Sequence, residues 1–220
     1  MKKKINYFNK IVQKPWGDEY LIFENKQVAM WYLNIKKDKM TSFHCHPKKK
    51  TGFLLLEGQI EINLGFYEKI NLKAPNKLMI RPGLFHKTKA IKGNAKVIEI
   101  ENPVDKGDLV RFSDSYGRKK KPYEGLGQMI NLDKQKILIQ KYFKSNKEFI
   151  LNKSKMQIFK QKKIILKKGT KSSIFAILQG GLFFKNNCIL GPGDIIRKNT
   201  FKKLITTFKP KNSITYLMIV

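Results

Sequence analysis

Arginine is scarce in this chain: only Arg81, Arg111, Arg118 and Arg197 stand among 46 basic residues, beside sixteen acidic residues, three histidines and two cysteines. Each scarcity excludes something. Surfaces that read nucleic-acid bases lean on arginine for bidentate contacts. A net charge of +30 carried almost wholly by dispersed lysines therefore argues for weak, non-specific attraction to polyanions and against specific nucleic-acid recognition. The same field favours small anionic substrates. Cys45 and Cys188 lie far apart, so no disulfide is expected. No apolar run approaches 18 residues, and the opening MKKKINYFNKIVQK has no apolar core. Neither a membrane helix nor a signal peptide is expected. The expectation is a cytoplasmic protein, monomeric or homodimeric, without membrane partners.

The three histidines are not scattered. His44 and His46 form an i, i+2 pair in FHCHP, and His86 follows a Pro-Gly turn in RPGLFH. On a strand, residues i and i+2 share a face with Cα atoms roughly 6.5–7 Å apart. Two imidazoles so placed can converge on one ion, and a third from a neighbouring strand completes the set. Cys45, between the pair, would then face the opposite way. The candidate metal ligands are His44, His46 and His86, and the candidate cofactor is a divalent transition metal: zinc, manganese, iron or nickel.

The first half reads as β. WYLNI, GFLLLEG, QIEINL, KLMIRPG and KVIEIEN are short apolar or alternating runs separated by turn residues. From Asn102 to about residue 130 no period holds, which implies a long connection carrying Arg111, Arg118, Tyr116 and Tyr123. After that KILIQKYF, MQIFKQKKIILKKG, SSIFAILQGGLFF, CILGPGDIIRK and SITYLMIV again read as strands. A weak internal repeat aligns IFAILQGGLFF with GFLLLEGQIEI and ILGPGDIIRKN with LKAPNKLMIRP, so that Gly180 matches Gly58. By those offsets the three histidines correspond to Leu166, Lys168 and Lys203, none of them a usual ligand. The second half is expected to pack on the first and shield its sheet edges.

The run HCHPKKKTGFLLLEG, together with RPGLFH, resembles the two motifs of the cupin family. KPWGDEYLIF resembles the first strand of cupins related to type II mannose-6-phosphate isomerase. DLVR, YGR and KPYEG resemble a segment that follows the barrel in some sugar-biosynthesis cupins. The resemblance implies an all-β fold of two jelly-roll barrels, the second lacking metal ligands. Their expected extents are 1–101 for the metal-binding barrel, 102–130 for a connecting strap and 131–220 for the degenerate barrel. In function it implies a metal-dependent isomerase or epimerase acting on a sugar phosphate or nucleotide sugar. A three-histidine non-haem iron dioxygenase and a non-catalytic sugar-binding protein are the alternatives.

One departure stands out. The family's acidic ligand falls at Thr51, so either the site has three histidines alone or a carboxylate arrives from another strand. Glu61, Glu99 and Glu101 are the candidates for that carboxylate and for a catalytic base. Arg81, Lys50 and Thr51 are the candidate substrate-binding residues, with Arg81 singled out because arginine is so rare. Lys48, Lys49 and Lys50 together read most simply as a solvated turn.

Overall fold

The computed structural model describes residues 5–133, 136–143, 147–166 and 169–220. In the first half, strands β1 (Lys10–Lys14), β2 (Gly17–Glu24), β3 (Ala29–Ile35), β4 (Phe43–Cys45), β5 (Lys50–Leu64), β6 (Glu68–Lys73), β7 (Asn76–Ile80) and β8 (His86–Asn102) form one antiparallel jelly roll. The connection adds β9 (Val110–Ser113) beside β4 and β10 (Met129–Asn131) beside β1. What reads as an aperiodic strap therefore closes both margins of the barrel.

GFLLLEG and QIEINL are one long strand. In the first part of β5, Phe53 and Leu55 face the barrel interior while Leu54 and Leu56 face the second half, so both faces are buried. That explains the unbroken apolar run, since a strand covered on two sides has no polar face to show. Beyond Gly58 the strand alternates, with Ile60 and Ile62 inside. Gly58 has φ +86°, and a Cβ there would lie 2.5 Å from the Asn94 carbonyl oxygen. Only glycine lets β5 and β8 cross so closely.

The second half contains β11 (Glu148–Leu151), β12 (Ser154–Gln161), β13 (Ile174–Gln179), β14 (Leu182–Phe184), β15 (Asn187–Leu190), β16 (Ile195–Arg197), helix α1 (Lys198–Thr207), β17 (Lys209–Pro210) and β18 (Ile214–Ile219). Its larger sheet runs β11-β12-β18-β13-β16. That is the order of β2-β3-β8-β5-β7 in the first half. The small sheet β15-β14-β17 likewise repeats β6, the end of β5 and the start of β8. Gly180 repeats Gly58 in detail, with φ +71° and a virtual Cβ 2.5 Å from the Ser213 oxygen.

The repeat fails where α1 replaces strand. Phe201 anchors this helix in the core of the second half, and Lys203, the repeat counterpart of His86, is exposed on it. Leu166 lies in irregular chain, and Lys168 falls outside the described residues. KILIQKYF is not a strand either. Residues Ile139–Tyr142 form a 3-10 turn that inserts Ile139 into the core shared by the two halves.

That shared core is the main contact between the halves. Tyr20, Ile22, Met30, Ile98 and Ile100 meet Met156, Ile158, Ile174, Ala176 and Leu217 across it. Each buried aliphatic side chain stabilises the packing by about 1.5–3 kcal/mol. The second half thus covers a sheet face rather than the sheet edges. Among the described residues no helix is long and apolar enough to cross a membrane.

Candidate metal centre

His44 lies on β4 and pairs in register with His86, the first residue of β8. His46 follows β4 directly. Ring centroids stand 5.0 Å apart for His44–His46, 4.4 Å for His44–His86 and 5.5 Å for His46–His86, and one ring nitrogen from each lies within 4.8 Å of the others.

The outer ring nitrogens are held by the backbone. Nδ1 of His44 is 2.8 Å from the Ser42 carbonyl oxygen, Nδ1 of His46 is 2.6 Å from that of Asp108, and Nδ1 of His86 is 3.0 Å from that of Leu84. A carbonyl can only accept, so each Nδ1 donates and each Nε2 carries the lone pair. The Nε2 atoms of His46 and His86 are buried with no hydrogen-bond partner. Orphaned acceptors are costly inside a protein, and a shared cation is what three converging lone pairs fit.

Electrostatics agree. Burial, then the neighbouring imidazoles, holds His44 well below its ordinary pKa. Burial and the Lys49 charge drop His46 to about 3, and burial drops His86 to about 4. All three rings are neutral at pH 7, the form that ligates metal. The strap braces this arrangement, for the Asp108 carboxylate also accepts the backbone N–H groups of Lys48 at 3.0 Å and Lys49 at 2.8 Å.

The carboxylates separate clearly. Glu99 and Glu101 point into the barrel from β8, and with His46 they form a second group of potential ligands. Glu99 Oε1 lies 4.0 Å from His46 Nε2, and no lysine or arginine among the described residues forms an ion pair with it. Burial and the adjacent Glu101 push it above the ordinary carboxylate range. Burial would raise Glu101 too, but Lys106 and Lys49 outweigh it and hold that carboxyl below the ordinary range. Glu61 is set apart. Its neighbours Ile60 and Ile62 face the interior, so it faces outward, 3.7 Å from Lys69.

The candidate substrate residues also divide. Thr51 is buried, in register with Glu101, and its Oγ1 has no partner. Lys50 points away from the histidines and bonds Asp194 of the second half at 2.6 Å. Arg81 is exposed and donates to the carbonyl oxygen of Pro82, just past Ile80, the inward-facing last residue of β7. Lys49 is no solvated turn residue: it is buried with Nζ 2.9 Å from Glu101.

Beside the histidines opens a narrow cleft of about 60 Å³. Its polar walls come from distant parts of the chain. Lys106 reaches Glu19 at 3.5 Å and Glu101 at 3.3 Å, and sits 3.7 Å over the Trp31 ring. Lys14 pairs with Glu19 and Glu124, Tyr123 donates to Glu19, and Arg118 bonds Asp114 at 2.6 Å and Glu124 at 2.7 Å. Arg111, in register with His44, lines the same cleft.

No family model and no curated protein matches the chain. Solved structures resemble parts of it. KdgF from Halomonas sp. shares 15% identity over 42% of this chain and 84% of its own, with a TM-score of 0.40. An uncharacterised conserved protein with a double-stranded β-helix domain from Klebsiella pneumoniae shares 14% identity over 50% of this chain and 90% of its own, TM-score 0.40. The DMSP lyase DddQ from Ruegeria pomeroyi shares 13% identity over 50% and 56%, TM-score 0.39. The jelly-roll assignment rests on the strand order of this chain itself.

Proposed function

We propose that this protein is a metal-dependent enzyme of cupin type that moves a proton within a hydroxylated carbonyl substrate, as a sugar isomerase or epimerase does. The observation that carries the reading is a cluster of three histidines, His46 and His86 buried and His44 half-buried, whose Nδ1 atoms are all tied to carbonyls, leaving the Nε2 lone pairs free to share one ion. His44, His46 and His86 would hold a divalent transition metal, which supplies Lewis acidity toward substrate oxygens in its open coordination positions.

The residues around them provide the rest. Glu99 is a buried carboxylate that makes no ion pair with a lysine or arginine among the described residues, beside the histidines and on the cleft wall. Its position suits it to take a proton from carbon and return it one atom along. Glu101, clamped between Lys49 and Lys106, stays ionised and fixes the wall instead. Trp16, Leu33 and Phe53 add apolar lining to the cleft, which keeps water from competing with that transfer.

The test is incubation of metal-loaded protein with sugar phosphates and nucleotide sugars in deuterated water. The expected result is deuterium at the carbon next to the carbonyl. It should be lost in Glu99→Gln while metal content stays the same. Absence of exchange and of binding across that panel would contradict the reading. Oxygen uptake with another substrate would replace it with the iron dioxygenase alternative.

A further inference from the structure

From the cleft's hydrogen bonding we infer that Arg111 is an anion-binding residue, and that the substrate carries a compact oxyanion, carboxylate or phosphate, next to the oxygens the metal centre would grip. The inference rests on the proposed metal-dependent reading and names the substrate class for it.

Arg111 stands on β9 directly opposite His44. Directly opposed residues of an antiparallel pair put their side chains on the same face, so the guanidinium and the imidazole share the cleft wall. The guanidinium is held from one side only. Nη1 donates to the carbonyl oxygens of Lys121 and Pro122, which fixes the plane of the group. Nε is buried with no hydrogen-bond partner, and Nη2 makes only a long ion pair with Glu124, 3.7 Å from its nearest oxygen and beyond hydrogen-bond reach. The open edge is therefore Nε with Nη2, the edge that receives a carboxylate or phosphate through two parallel bonds.

Neighbouring carboxylates do not close that edge. Glu124 gives one oxygen to Lys14 and the other to Arg118. The remaining cations of the cleft are matched: Lys49 by Glu101, Lys106 by Glu19 and Glu101, Arg118 by Asp114 and Glu124. Among the described cleft residues, Arg111 alone presents a bidentate edge without a hydrogen-bonded acceptor. Its side chain is only 5% exposed, so the unmet donor is desolvated and costly unless a ligand meets it. A bound metal would add further positive charge beside that unmet donor.

The experiment titrates glycolate and inorganic phosphate separately into wild-type, Arg111→Ala and Arg111→Lys protein, each metal-loaded and metal-free, with metal content and melting temperature measured in parallel. Wild type should bind at least one probe, and the one it prefers distinguishes carboxylate from phosphate. Arg111→Ala should weaken that binding about 10- to 100-fold in both metal states, with metal content unchanged. Should the alanine variant loosen the strap, Arg111→Lys decides the matter. It keeps the charge but lacks the two-pronged edge, and should still lose roughly 10-fold or more. Unaltered affinity in the lysine variant, or no binding of either probe to wild type, would overturn the inference. Loss of metal from wild type itself would instead count against the metal reading.

Discussion

After β7 the first half turns through Arg81–Phe85 and enters β8 at His86, whereas after β16 the second half winds into α1 and reaches β17 only at Lys209. The two halves agree over the strands that pack against each other and part at the end where the histidines sit. Gly58 and Gly180 occupy the same crossing with nearly the same virtual clash, and both sheet orders match. The shared core demands those strands in both halves, because each supplies one wall. Nothing in that packing demands β4 or the His86 segment. Scaffold and site are therefore separable in this fold, and among the described residues the histidine cluster lies in the first half alone.

Breaking the site should leave the scaffold standing. His44→Ala with His46→Ala should take bound transition metal from one per chain to none, measured by elemental analysis, while circular dichroism stays that of the wild type. Breaking the scaffold should affect both halves alike. Gly58→Ala and Gly180→Ala each force a Cβ against a carbonyl at positive φ, and each should cost roughly 2–3 kcal/mol in denaturant melts. A tolerated Gly180→Ala would show that the repeat is only approximate.

The strap adds a pH-dependent element confined to the first half. Burial opposes ionisation of Glu124 and Asp114, but Lys14 pairing at Glu124 and Arg118 hydrogen bonds at Asp114 outweigh it, so both pKa values are lowered. A depressed folded pKa contributes stability above the ordinary carboxylate range of about 4, lost as pH falls through the folded values. Amide exchange of the strap, corrected for intrinsic rates, should accelerate relative to β8 between about pH 4 and the depressed folded values. The smallest effect is expected at the contact between the halves. Lys50 and Asp194 are 28% and 25% exposed, and Asp194→Asn should cost less than about 1 kcal/mol.

The histidine cluster was legible because its spacing is local: an i, i+2 pair and a turn-borne third histidine. The strands of β5 and β8 were legible from apolar period for the same reason. The polar cleft was not. Lys14 and Glu124 are 110 residues apart, and no local pattern marks such pairs. Scarcity of arginine drew attention to Arg81, yet Arg81 follows the inward-facing Ile80 and turns out to solvent, while Arg111 and Arg118 of the connection line the cleft. Helix α1 did leave a signal. Phe201, Leu204, Ile205 and Phe208 recur at helical spacing, a pattern that the repeat alignment with strand obscured.

The central claim is that three imidazole nitrogens meet at one ion. X-ray absorption of zinc-loaded wild-type protein tests it most directly. The account predicts one zinc per chain with three histidine nitrogens at about 2.0–2.1 Å. Zinc bound in substoichiometric amounts, or ligated by fewer than three imidazoles, would contradict it.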